Sequence, residues 1–206
     1  MSDNPYQTPG SMPLRAEDQE EVGDFDLMRN TSFWAILSLF FLGTQIVLYS
    51  LHMLSLYRPS EELVLMLQVG AIISVCVWTY KSMSNAWVAG KIVPTITSGG
   101  AVISYFVPIL WFWRPYLAIR QIWGNLFGKE SSKFLVTAWW LMWLGIWAFI
   151  VIKMLHQNTP RDKDPIYYYI GKFGVVFCTL AAGVFLMMII SKITIGQNKR
   201  IAKARR

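Results

Sequence analysis

Four stretches without a single Asp, Glu, Lys or Arg, at 33–56, 63–80, 134–152 and 173–191, constrain this chain more than any other feature. They are 24, 18, 19 and 19 residues long. A hydrocarbon core about 30 Å thick is crossed by roughly 17–25 residues at about 1.5 Å each. Lipid offers a backbone no hydrogen-bond partner, so a segment of this kind must satisfy its own N–H and C=O groups, as a helix does. The pattern predicts an all-α integral membrane protein with four transmembrane helices, at about 33–56, 63–85, 134–155 and 167–191. With 54% hydrophobic residues and ten Trp in 206, too little polar surface remains for a soluble globule.

The ends of the chain read differently. Residues 1–30 carry seven acidic groups (Asp3, Glu17, Asp18, Glu20, Glu21, Asp24, Asp26) among few large apolar side chains, which predicts a disordered acidic tail. That tail lacks the basic start and short apolar core of a cleavable signal peptide, so the first apolar stretch is expected to be a retained anchor. Residues 31–195 form the expected membrane domain and 196–206 a basic tail. Lys and Arg in short loops resist translocation and mark the cytoplasmic side. Four spans with both termini cytoplasmic put fourteen Lys and Arg on that side and five on the other (Arg58, Lys153, Arg161, Lys163 and Lys172).

A fifth uncharged stretch, 92–113, tests this topology. Pro94, Gly99, Gly100 and Pro108 interrupt it, and Thr95, Thr97, Ser98 and Ser104 dilute it. A full crossing would also separate Lys81 from Arg114 and erase the charge asymmetry. A re-entrant half-helix over 95–112 is preferred to a fifth span. Beyond it, Pro115 suits a first helical turn, and Ile119, Ile122, Trp123 and Leu126 recur at helical spacing opposite Arg120, Gln121 and Asn125. This predicts a cytoplasmic interfacial amphipathic helix over 115–127, the alternative being an ordinary connector packed on the bundle.

Three blocks carry a resemblance. Trp78, Lys81, Asn85 and Ala86 close the second span; Phe106-Val107-Pro108 leads to Pro115 and Ile122-Trp123; and Ala138-Trp139-Trp140 with Trp143 opens the next span. In this order they resemble a bacterial multi-pass membrane family known as domain of unknown function 4328, over about 33–195. The resemblance implies structural roles for Trp78, Pro108, Pro115, Trp139, Trp140 and Trp143, and a bacterial inner-membrane location. Gly124-Asn125-Leu126 departs from the family's usual small polar run. The family supplies no established activity.

Signatures of catalysis are missing from the sequence: it has no phosphate-binding Gly-rich loop, no His-Glu-x-x-His and no nucleophile elbow. Outside the tail the carboxylates are Glu61, Glu62, Glu130, Asp162 and Asp164, all in expected loops, so no acidic group is set among the spans to relay protons or bind a cation. His52 and His156 fall at similar depth and form a weak haem pair, although interfacial histidines more often serve as polar anchors. No cofactor and no metal are expected. Cys76 and Cys178 read as small buried apolar thiols.

Gln45 and Gln68 are expected to hydrogen-bond to neighbouring helices. Gly174, Cys178 and Ala182, four apart, offer a smooth stripe for another helix, in this chain or in a second copy. Trp139, Trp143 and Trp147 line one helix face, suited to packing or to a ring-shaped lipid such as a quinone.

The strongest candidate site is the set Lys81, Asn85, Arg114, Arg120 and Trp123, which a re-entrant fold would gather at headgroup depth to clamp an anionic lipid phosphate or an acidic partner segment. The expected function is a non-enzymatic scaffold or accessory protein. A small passive transporter or lipid- or quinone-binding protein comes second, and a membrane redox or lipid-modifying enzyme third. The expected partners are the bilayer, anionic lipid, and a second copy or another membrane protein, with no nucleic acid.

Overall fold

The computed structural model describes residues 28–54, 56–89, 94–128, 131–155 and 165–204. In chain order the helices are α1 (Ser32–Met53), α2 (Glu61–Ala89), the short α3 (Ser98–Ile103), α4 (Pro108–Trp111) and α5 (Arg114–Phe127), then α6 (Phe134–Leu155) and α7 (Pro165–Ala204). Among the described residues α1, α2, α6 and α7 are long and apolar enough to cross a membrane, and no strand occurs. The acidic segment 1–27, His156, Glu130, Asp162 and Asp164 lie outside the described residues.

Local chemistry accounts for the helix limits. Ser60 accepts from the Leu63 N–H, and Glu61 and Glu62 sit in the first turn of α2, where the helix dipole favours negative charge. Thr97 caps α3 through the Gly100 N–H, and Pro108 and Pro115 open α4 and α5 without sacrificing a backbone donor. Gly128, at φ 94°, ends α5 in a backbone conformation that disfavours other residues. Within α1, Ser38, Thr44 and Ser50 each donate to the carbonyl four residues earlier, so an apolar helix carries three hydroxyls without outside partners.

Two features depart from the sequence reading. Helix α7 runs on to Ala204, so most of the expected basic tail at 196–206 is helical. The reason is packing: Ile193, Thr194, Gln197 and Ile201 are buried at helical spacing, and a buried stripe of this kind holds a helix beyond its apolar stretch. The two span glutamines also differ from expectation. Gln68 faces outward, and the buried Gln45 Nε2 has no hydrogen-bond partner among the described residues. Between α1 and α2 the space is filled instead by the Phe41 ring against Gly70.

Small residues set the helix pairing. Gly174 lies under the Phe149 ring and Gly145 beside Cys178 Sγ, so α6 and α7 run antiparallel with the Gly174–Cys178 stripe facing α6. Gly183 receives Ile46, and Gly43 lies near Met187, which pairs α1 antiparallel to α7. Lipid supplies no hydrophobic drive between helices, so close backbone approach and dispersion contacts carry such packing.

The segment from 94 to 128 is a hairpin lodged in the bundle. Its two limbs are clasped where the Thr95 N–H donates to Gln121 Oε1 at 3.0 Å and Gln121 Nε2 donates to Thr95 Oγ1 at 2.6 Å. Trp87 Nε1 donates to the Ile96 carbonyl beside this clasp. At the far end Trp111 meets Trp143 and Trp147 of α6, with ring centroids 5.5 and 5.1 Å apart. Trp140 stacks on Trp143 at 4.8 Å and 10°, and Tyr116 of α5 stacks on Trp140. The α6 tryptophans are therefore packing elements for the hairpin. Ring pairs of this kind add about 0.5–1.5 kcal/mol each beyond area burial. Trp111→Leu should lower unfolding stability by about 1–3 kcal/mol and Trp111→Phe by less, as read by denaturant titration in micelles.

Helix α5 rises lengthwise beside α7. Near its start the Tyr116 hydroxyl lies 3.4 Å from Thr137 Oγ1, and near its end Leu126 packs on Gly196. The α6–α7 pairing sets Thr137 level with about residue 186 of α7, so the two contacts are separated by about 15 Å of helix. Seven residues of α5 are buried (Pro115, Ala118, Ile119, Ile122, Trp123, Gly124 and Asn125), a wider buried face than a helix resting on a surface presents.

Candidate functional site

The start of α1, the end of α2, the end of α5 and the last turns of α7 meet at one end of the bundle in a buried polar network. Asn85, 1% exposed, is its hub. Its Oδ1 accepts from the Arg29 N–H at 2.8 Å, and its Nδ2 donates to the Arg29 carbonyl at 2.9 Å and to Gln197 Oε1 at 3.2 Å. Gln197 Nε2 donates to the Ser82 carbonyl, and Thr31 Oγ1 donates to Gln197 Oε1. One turn deeper, Trp78 Nε1 donates to Thr194 Oγ1 at 3.0 Å.

Asn125 and Arg200 join α5 to the same network. Asn125 Nδ2 donates to the Ala86 carbonyl at 2.8 Å. The Arg200 guanidinium donates to the Asn125 and Leu126 carbonyls at 3.2 and 2.6 Å, meeting the negative end of α5 with a cation. Asn198 Nδ2 donates to Ser32 Oγ at the start of α1. A gap of about 10 Å³ remains among Met28, Asn85, Asn125, Gln197 and Arg200, close to the room one water needs.

Around this network the five sequence-selected residues take different places. Asn85 is engaged in the hydrogen bonds just described and offers nothing outward. Lys81 is half-buried with its Nζ 5.9 Å from the Trp34 ring centroid on α1. Arg114 opens α5, about 16 Å of helix away from Asn125, and so does not join Asn85. Arg120 is exposed and lies over the Tyr116 ring of its own helix. Trp123 is buried against Phe127, and its Nε1 has no partner among the described residues.

Of the motif residues, Trp78 is fully buried, Pro115, Trp139 and Trp140 are buried, Trp143 is half-buried, and Pro108 starts α4 on the exterior. His52 is exposed on the last turn of α1, and among the described residues no group of three or more His, Cys, Asp or Glu comes together. Cys76 is half-buried and Cys178 buried, and both are free thiols.

Sequence reasoning missed Thr31, Thr194, Gln197 and Arg200 because the first two fall just outside the expected spans and the last two in the expected basic tail. The available signal was periodicity: Ile193, Gln197 and Ile201 stand four apart, and a polar residue on a stripe of isoleucines needs a partner.

Basic side chains rim this end. By the antiparallel pairing, Lys192 of α7 stands level with the start of α6, which Lys133 precedes, and Lys81 stands level with the start of α1. Lys192 and Lys199 are exposed, and Lys81 and Lys133 half-buried. Between α2 and α3 lies an open, apolar crevice of about 300 Å³, lined by Cys76, Val77, Tyr80, Gly99, Val102 and Ile103.

No curated protein and no solved structure matches the chain. A family model does, over residues 56–194, which takes in α2 to α6, most of α7, the hairpin and the Trp78–Thr194 pair while leaving α1 outside. That match spans about two thirds of the sequence, and the chain belongs to the family described as Domain of unknown function (DUF4328).

Proposed function

We propose that this chain is a non-enzymatic, multi-pass scaffold or accessory protein of a bacterial inner membrane, and that its basic end is a rigid cytoplasmic platform for the phosphates of anionic lipids. The observation that carries the reading is the common level of Lys81, Lys133 and Lys192, each at the same end of its apolar stretch. Cations ringing one end of a helix bundle are the pattern that keeps that end in the cytoplasm, and they sit where headgroup phosphates lie. The Asn85–Gln197 network beneath them, with the Asn125 and Arg200 bonds to α5, supports a fixed platform, because four chain segments are tied together by hydrogen bonds rather than by loops. In this orientation both termini are cytoplasmic, and the hairpin over 94–128 enters and leaves the bilayer on that side. The Thr95–Gln121 clasp supports this, since it joins the two limbs at their mouth.

Native mass spectrometry of the gently extracted protein tests the reading. Lys81→Ala with Lys192→Ala should cut co-purifying anionic lipid by at least about half, the effect expected when two of a few surface cations near the headgroups are lost. Arg114→Ala, remote from Asn85, should have the smaller effect. Equal lipid retention in all three proteins would remove the platform reading. A lipid- or quinone-binding role is the second reading, favoured by the apolar crevice between α2 and α3, whose volume lies at the small end for ligand pockets. Solvent extraction of the purified protein yielding stoichiometric quinone would promote it over the first.

A further inference from the structure

The described chain begins in the middle of the basic end. Met28 is 6% exposed beside Asn85, Ile122, Gln197 and Arg200, and the Arg29 backbone is held on both sides by Asn85. Met28, the first described residue, therefore lies beside Gln197 and Arg200 of the last turns of α7. The segment preceding it carries seven carboxylates and, within residues 1–27, the single basic residue Arg15. The α7 end carries Lys192, Lys199, Arg200, Lys203, Arg205 and Arg206. Of these, Lys192, Lys199 and Lys203 are exposed, spaced seven and four apart so that they share one helix face.

We propose that the acidic segment 17–26 docks on the lysine face of α7 and competes there with anionic lipid phosphates, an intramolecular regulator of the basic end. The competition half rests on the headgroup reading above; the docking half does not. Charge complementarity and the point of attachment select this occupant over a free partner. Asp26 and Asp24 lie two and four residues from Met28, within about 7 and 14 Å at about 3.5 Å per residue. A tether of that length holds its acidic groups at an effective concentration of the order of millimolar, which no separate acidic peptide matches at ordinary abundance. Single pairs here are weak and screened over about 8 Å at physiological salt. The attraction needs several carboxylates acting together on several lysines, so it is steeply salt-dependent and reversible, as a regulator requires.

The full-length protein in nanodiscs containing about one third phosphatidylglycerol, treated with a zero-length carboxyl-to-amine cross-linker and digested, tests the docking. Glu17, Asp18, Glu20, Glu21, Asp24 or Asp26 should join Lys199 well above Lys91 and Lys129, and the product should vanish in about 1 M salt, where the screening length falls to roughly 3 Å. Absence of Lys199 products, or products spread evenly over those other lysines, overturns the docking. Lys199→Gln is exposed and keeps the fold, so it should shift the cross-links to Lys192 and Lys203; products that move instead to Lys91 and Lys129 also overturn it.

Replacing the seven acidic residues by their amides tests the competition. Bound phosphatidylglycerol per protein should rise at least about twofold, and an unchanged count beside intact Lys199 cross-links overturns the competition alone. Failure of the headgroup reading itself is seen separately, as unchanged lipid in the Lys81→Ala, Lys192→Ala protein.

Discussion

Asn85→Ala is expected to lower unfolding stability by about 1–3 kcal/mol, because it removes the partner of the part-buried Arg29 N–H and C=O and a donor from the buried Gln197. A fully buried donor or acceptor left without its partner costs about 1–3 kcal/mol, and part-buried groups such as those of Arg29 cost less each. Polar contacts between helices in lipid average nearer 0.6 kcal/mol where the unfolded reference finds other partners. The upper range is expected because two of the groups at stake belong to the backbone of a segment that passes over the helix ends. Gln197→Leu, which also severs Thr31 and the Ser82 carbonyl, should match it, and the double variant should fall well short of the sum. Reversible denaturant titration in micelles measures all three. An additive double variant would mean that the two amides act separately and that the hub does not exist.

Gly174→Val is the second large effect. A Cβ at position 174 would stand 2.5 Å from the Phe149 ring, closer than any real Cβ contact, so α6 and α7 must separate or the ring must leave its site. Overpacking of a fitted interface costs about 1–3 kcal/mol, and separation of two long helices places this change at the upper end. Phe149→Ala in the same chain should recover part of the loss by vacating the space, a rescue that a propensity effect of valine in the helix would not show. Gly70→Val against Phe41 of α1 is the parallel case.

Much of this architecture is legible from the chain itself, for a physical reason that differs by element. The four apolar helices are visible because the requirement acting on each is local: about twenty residues that leave no backbone group unpaired and carry no charge. The Pro and Gly residues of 94–113 mark an interrupted stretch in the same way, although the structure has two short helices there, α3 and α4, separated by a turn, where the sequence reading expects one half-helix over 95–112. The Gly174–Cys178 stripe is likewise readable, since smoothness is a property of the residues, although its partner α6 is not.

The candidate site was legible only in part. Lys81 and Asn85, one turn apart on α2, look equivalent in sequence, yet one rests on Trp34 at the rim and the other is enclosed as the hub. Gln45 and Gln68 look equivalent too, and one is half-buried with its Nε2 enclosed while the other faces out. Depth and facing depend on the rotation of each helix about its axis, which is set by partners far away in the chain.

What the sequence by itself determined is the number of helices fit to cross a membrane, where the chain is broken between the second and third of them, and the surplus of cations toward one end. What only the tertiary structure decided is which polar residues serve one another: Asn85 with Arg29 and Gln197, Trp78 with Thr194, Arg200 with the end of α5. Span formation is a local balance between backbone satisfaction and apolar length. Pairing between separate helices, by contrast, is chosen by the close approach that Gly43, Gly70, Gly145, Gly174 and Gly183 permit, and the polar groups find their partners at the register those contacts set.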